Sequence, residues 1–207
     1  MKGFLAILLA IVPAYLLGSV NGAIITSMAL FRKDIRKYGS GNPGLTNFYR
    51  VFGKSGVVLV VVVDIVKTVI PVLIGGWSFG QSFDTMILGR TIAGFFVMLG
   101  HCYPVFYGFK GGKGVLAAGT ILFVLDWRVA LIAWGVFILL TATTRYVSLG
   151  AIIGSTMYPA SMVIFGIGDW KVFTAALACV ILLIARHHEN IRRLLKGEES
   201  KLSFRNQ

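Results

Sequence analysis

Three polar stretches interrupt an otherwise apolar chain, and each carries residue types suited to holding an anion. Residues 39–50 combine Gly39, Gly41 and Gly44 with Ser40, Asn42, Thr46, Asn47 and Arg50. Glycine lets the backbone turn tightly and expose N–H groups that can form an anion-binding concavity. The guanidinium of Arg50 adds a fork that pairs with phosphate through two charge-assisted hydrogen bonds. Residues 100–114 end on Lys110, Gly111, Gly112, Lys113 and Gly114. That run resembles a phosphate loop, with Lys113 near the start of the next helix, where free N–H groups favour an anion. Residues 186–193 bring Arg186, His187 and Asn190, spaced three and four apart so that they share a helix face. Together these groups could bind a small phosphorylated molecule and place a proton acceptor beside it.

Other chemistries fit less well. Gly53, Lys54 and Ser55 suggest a Walker loop, but Phe48 stands where its first glycine is required. The eight Asp and Glu residues are scattered, so a carboxylate cage for divalent metal is not expected. His101 has Phe106, not an acid, five positions on, which removes the His-x4-Asp pattern. His101 and Cys102 are adjacent and point about 100° apart on a helix, a poor geometry for a Cys–His nucleophile. Cys102 and Cys179, the only cysteines, are expected to be free packing residues.

The elements that must position these groups are set by composition. The 207 residues are 57% hydrophobic and 14% charged, with a mean hydropathy of +0.82, against about 45–50% apolar in ordinary globular domains. The chain is therefore expected to be a single membrane-embedded domain over residues 1–207. Its net charge of +12 is expected to face anionic lipid or a phosphorylated substrate, because no polar stretch is long enough for a nucleic-acid module. Apolar segments run over 4–31, 57–74, 86–106, 115–125, 129–142, 147–167 and 172–185. The first continues past small residues to Arg32 and Lys33, as a span rather than a cleaved signal peptide does. These seven segments predict an all-α polytopic protein, with a five-span alternative in which 115–142 forms one re-entrant pair. With the N-terminus outside, fifteen of the twenty Lys and Arg residues fall on the inner side against Lys2, Arg90, Arg128 and Lys171 outside, Lys67 lying within a segment. The positive-inside rule thus orients the chain N-out and C-in, with all three polar stretches on the cytoplasmic face. Asp64 and Lys67 share a face at i,i+3 inside the second segment, where they can neutralise each other and fix a helix that carries a site loop. After Arg186 an amphipathic helix is expected along the headgroups, and residues 203–207 are expected to fray.

With those residues laid out, the chain resembles the bacterial integral-membrane glycerol-3-phosphate acyltransferases that use acyl phosphate as donor. The likeness rests on residues 39–47 with Arg50, on Gly100, His101, Pro104 and 109–115, on Arg145 with Ser148 and Leu149, and on Arg186, His187, Asn190, Ile191, Arg192 and Gly197. Asp64 and Lys67 fit it too. Leu45, Asn21 and Thr68 depart from the family pattern and are read as packing positions.

The resemblance implies seven spans in the bacterial inner membrane, a cytoplasmic site, no cofactor or metal, and no need for acyl-CoA or acyl carrier protein. It implies acyl transfer from a fatty acyl phosphate to the 1-hydroxyl of glycerol 3-phosphate, giving lysophosphatidate and phosphate. Ser40, His187 and Asn190 are the expected catalytic residues. Asn42, Thr46, Asn47, Arg50, Lys110, Gly111, Gly112, Lys113 and Ser148 are the expected substrate-binding residues, with Asp64, Lys67, His101 and Arg145 in support. Membrane lipids are the surrounding partner and a monomer is expected. The hydroxyl proton has two candidate acceptors, a substrate phosphate oxygen and His187. A transporter for an anionic metabolite is the competing class; inverted repeats and broken helices near mid-membrane would mark it.

Overall fold

The computed structural model describes residues 2–202, which are helical with short connections; the expected fraying of 203–207 lies outside the described residues. Five stretches are long and apolar enough to cross a membrane: Lys2–Phe31, Val57–Phe83, Met86–Tyr107, Trp127–Thr144 and Val147–Ile164. Helices Trp170–Arg186 (α9) and His188–Leu195 (α10) add a sixth as a pair bent by 59°. The remaining apolar segment, Val115–Leu125 (α6), is a shorter helix. At 1.5 Å per residue its 11 residues rise only about 16 Å, roughly half of a hydrocarbon core of about 30 Å. It stays short because Gly114, at φ 78°, starts it and Asp126 ends it. Asp126 then caps Trp127–Thr144 (α7) by accepting from Arg128 N at 2.8 Å, which makes a tight corner. Segment 129–142 instead grows at both ends to the 18 residues of α7.

The first segment is not one straight helix. Lys2–Gly18 (α1) stops and Gly22–Phe31 (α2) restarts, with Asn21 as the new N-cap through Ile24 N to Asn21 Oδ1 at 2.9 Å. Asn21 is buried and also donates to Pro43 O at 3.0 Å, so it is a hinge residue rather than a packing position. Helix α1 packs with Val57–Phe83 (α4) and Met86–Cys102 (α5) as the central layer. Close approach is what the small residues there supply: a Cβ on Gly100 would strike the backbone of Tyr15 and Gly18, and one on Gly89 the backbone of Gly75. Val147–Ile164 (α8) pairs with α7 across a turn at Arg145, φ 64°, and α9 closes the bundle against α5 and α8. Large apolar side chains such as Val58, Trp77, Leu139, Ile164 and Trp170 face outward, as lipid-exposed helices require.

Contacts sort the connections to two ends. At one, Arg36 Nη1 donates to Tyr107 O at 3.0 Å, Lys113 meets Asn190, and Leu202 N donates to Arg145 O at 2.7 Å. At the other, Arg90 Nη1 donates to Val124 O at 3.0 Å and the Arg128 guanidinium lies 4.7 Å from the Phe165 ring centroid. All three polar stretches therefore occupy one end of the bundle.

Candidate active site

The loop over 39–44 leads into the short helix Leu45–Phe52 (α3). Phe48 is fully buried, and Phe31 stacks on Phe52 at 4.2 Å between centroids, so an aromatic trio fastens α3 to α2. Asn47 organises the loop, its Oδ1 accepting from Ser40 N at 2.9 Å and its Nδ2 donating to Tyr38 O at 3.0 Å. Gly41 N donates to Tyr38 O and Gly44 N to Asn42 O. The expected concavity of free N–H groups is thus corrected: three of those groups are used to close the turns themselves. Ser40 and Arg50 are exposed and Asn42 and Thr46 half-buried.

The second loop is clamped rather than flexible. Gly112 N donates to His101 O at 3.1 Å, while Arg186 donates from Nε to Gly112 O at 3.2 Å and from Nη2 to Gly111 O at 3.1 Å. The same guanidinium sits 4.9 Å from the Tyr103 ring centroid. A Cβ on Gly111 would strike the carbonyls of His101 and Cys102, and one on Gly112 the His101 ring. These glycines are required by close approach. Lys113 leaves the loop half-buried, just before α6 as the sequence predicts, and donates to Asn190 Oδ1. Burial pulls its ammonium down to about 8, against the opposing pull of Glu199.

The third stretch breaks at His187, so His187 and Asn190 occupy the cap and first turn of α10 rather than the end of a continuous span. His187 is 2% exposed, with Nδ1 2.8 Å from Leu183 O. A carbonyl only accepts, so Nδ1 carries the proton and Nε2 keeps its lone pair. Burial, reinforced by Lys113 and Arg186 and opposed by the Leu183 hydrogen bond, lowers the ring pKa to about 4. Asn190 Nδ2 donates to Glu199 Oε1 at 2.6 Å, Ser148 Oγ donates to the same oxygen at 2.6 Å, and Arg193 Nε donates to Glu199 Oε2 at 2.7 Å. Burial pushes the Glu199 carboxyl up, and these three donors outweigh it to hold the group below its ordinary range.

Beneath the loops, Lys67 Nζ lies 2.8 Å from Asp64 Oδ1 and 2.8 Å from His101 Nδ1, and also donates to Val20 O. The structure thus brings together Lys113, Asn190, Ser148, His187 and the Gly111–Gly112 turn, and separately Ser40 with Asn47 and Asp64 with Lys67 and His101. Among the described residues Arg50, Lys110 and Arg145 are exposed side chains without a hydrogen bond or ion pair. Sequence reasoning missed Glu199 and Arg193 as members of the junction, and Asn21 as the link from the first loop to the helix break. Glu199 lies 51 positions from Ser148, a separation that carries no periodic signal.

Residues 8–197 match the sequence family described as glycerol-3-phosphate acyltransferase. The glycerol-3-phosphate acyltransferase of Thermoanaerobacter pseudethanolicus is 40% identical over 197 residues, which cover 95% of this chain and 96% of the relative. That of Staphylococcus saprophyticus is 36% identical over 201 residues, covering 96% and 98%. The crystal structure of PlsY (YgiH), an integral membrane glycerol 3-phosphate acyltransferase, in its glycerol 3-phosphate form gives a TM-score of 0.84 at 39% identity over 96% of both chains. Its lysophosphatidic acid form gives 0.82 at 38% identity, covering 96% of this chain and 95% of that one. Sequence and fold agree over nearly the full length, and the chain belongs to the glycerol-3-phosphate acyltransferase family.

Proposed function

We propose that this chain transfers a fatty acyl group from acyl phosphate to the 1-hydroxyl of sn-glycerol 3-phosphate, with neither acyl-CoA nor acyl carrier protein required. The observation that carries the reading is the junction of Lys113, Asn190, Glu199 and Ser148, where a half-buried ammonium, a carboxylate and two neutral polar side chains meet at the loop end of an apolar bundle. The glycerol 3-phosphate and lysophosphatidic acid forms of PlsY supply a substrate and a product that suit such a site.

In the proposed reaction the hydroxyl oxygen attacks the acyl carbonyl carbon, the carbon–oxygen bond to phosphate breaks, and inorganic phosphate leaves with lysophosphatidate as product. An acyl phosphate is a mixed anhydride with a good leaving group, so positioning, worth about 7–11 kcal/mol, and charge stabilisation suffice. Lys113 and Arg50 hold phosphate, with Lys110 and the Gly111–Gly112 turn beside them. Ser40 and Asn190 orient the hydroxyl or polarise the carbonyl, with Asn42, Thr46, Asn47 and Ser148 shaping the polar wall. The hydroxyl proton passes to a phosphate oxygen. His187 Nε2, low in basicity, serves better as a hydrogen-bond acceptor that aims the hydroxyl.

The same reading crosses the bacterial inner membrane seven times, N-out and C-in, with α6 as the short fourth span and the loop end in the cytoplasm. Purified protein in detergent, given glycerol 3-phosphate with palmitoyl phosphate, palmitoyl-CoA or palmitoyl acyl carrier protein, tests it. Phosphate and lysophosphatidate formed only from palmitoyl phosphate are expected. Turnover only with the thioesters would refute the donor assignment.

A further inference from the structure

We propose that Lys67 is a positioning residue that holds the two substrate loops in register, its buried ammonium joining the α1–α2 break to the Gly111–Lys113 turn. This rests on the reading of both loops as substrate-binding. An ammonium has three protons to donate, and Lys67 has three partners: Asp64 Oδ1 at 2.8 Å, His101 Nδ1 at 2.8 Å and Val20 O. Each partner leads toward a loop. Asp64 Oδ1 also accepts from Gly22 N at 3.2 Å, so Lys67 and Asp64 grip the chain on both sides of Asn21. Asn21 in turn donates to Pro43 O at 3.0 Å, inside the first substrate loop.

The other arm runs through His101. Because the ammonium can only donate, His101 Nδ1 must accept, which places the ring proton on Nε2. The Nε2 edge lies against Gly112, close enough that no side chain fits there, and Gly112 N donates to His101 O at 3.1 Å. Lys113, the cation of the junction with Asn190, follows in the chain. One buried cation thus touches both supports, and beyond Lys67 the helix continues through Pro71 and Val72 with no further ionisable group on its buried face. Nothing on that face extends the cluster toward the far end of the bundle as a proton path would need.

Stability alone is a weak account of such a pair. Removing two charges from water costs several kcal/mol per ion, and well-packed apolar replacements are often as stable or more so. Backbone contact between α1 and α5 at Gly18 and Gly100 already fixes the helices around it. Register between the loops is what the ion pair adds.

The test is a double-mutant cycle on the arms: Asn21→Ser keeps a capping oxygen for Ile24 N and loses the donor to Pro43 O, and His101→Leu removes the acceptor for Lys67, which keeps Asp64 as its counter-ion. Kinetics are measured in detergent with glycerol 3-phosphate varied. Each single variant is expected to lose about tenfold in kcat/KM, mostly through KM, and the combination far less than the hundredfold product, since either cut already uncouples the loops. Losses that multiply to within about twofold would overturn the proposal. In the Asp64→Leu/Lys67→Met background, expected to keep the parent melting temperature, Asn21→Ser should cost nothing further; a full additional tenfold loss there also overturns it. A parent that works only with a thioester donor refutes the acyl-phosphate reading instead, and the cycle is then read with that donor.

Discussion

At the scale of single residues, the proposed site relies on cations of two kinds. Arg50 is exposed on the last turn of α3, while the aromatic trio occupies the opposite side of that helix. In the proposed site the Arg50 guanidinium binds phosphate through a fork that lysine lacks. Arg50→Lys is expected to lower kcat/KM about tenfold or more, and unchanged kinetics would remove Arg50 from the site. Lys113 differs, because burial brings its ammonium down to about 8. Below that value it is charged and, in the proposed site, available to phosphate; as pH rises through it the charge is lost and KM for glycerol 3-phosphate should climb. Lys113→Arg, which stays charged throughout, should flatten that alkaline limb in a pH profile of kcat/KM even if its absolute rate falls. His187, lowered to about 4, should contribute no break between pH 6 and pH 8. An acid limb near 6.5 that disappears in His187→Gln would show that the ring titrates there after all.

At the scale of elements, the tail after α10 ties α8 to α10. Glu199 returns to accept from Ser148 at the start of α8, Asn190 in α10 and Arg193 one turn further on, while Leu202 N reaches Arg145 O. Hydrogen bonds to a charged group contribute about 1.5–3 kcal/mol each, less where water reaches them. Glu199→Gln keeps the shape, loses the charge and leaves Arg193 without its close partner, Glu189 being 3.9 Å away and exposed. A loss of about 1–3 kcal/mol is expected, read as a lower melting temperature in detergent at pH 7. The sign follows from the depressed carboxyl: its stabilisation is complete above the ordinary glutamate range and is lost as pH falls through the lowered value. Parent and variant should therefore converge in acid; an equal gap at pH 7 and in acid would assign the effect to shape rather than charge. None of this was legible from spacing. The i,i+3 pair Asp64 and Lys67 could be read because a helix repeats every 3.6 residues. The Ser148–Glu199 contact depends on how α8 and the tail dock, and turn closure at Ser40 depends on Asn47 folding back, neither of which leaves a periodic trace.

At the scale of the whole molecule, hydropathy identified every long helix, because lipid demands runs of apolar residues with internally satisfied backbones. It placed each end of α7 two residues short, since Trp127 and Thr144 are helical for reasons of capping rather than hydropathy. It also missed the restart at Asn21, because apolar residues resume directly after the short run Gly18, Ser19, Asn21 and Gly22 and the average hydropathy carries across it. The remaining question at this scale is whether α6, only 11 residues long, crosses. If it does, the α6–α7 corner shares a side with the α4–α5 corner, and the tail lies opposite. Positions to probe are Gln81 and Trp127 at those corners and Ser200 in the tail, all exposed. The native Cys102 and Cys179 are buried and should give little background. In intact bacterial cells Gln81→Cys and Trp127→Cys should react with a membrane-impermeant maleimide, and Ser200→Cys only after permeabilisation. Seven crossings with an N-out start require that pattern. Labelling of Gln81→Cys but not of Trp127→Cys until the cells are opened would mean that α6 and α7 enter and leave on the same side, which restores the five-span arrangement.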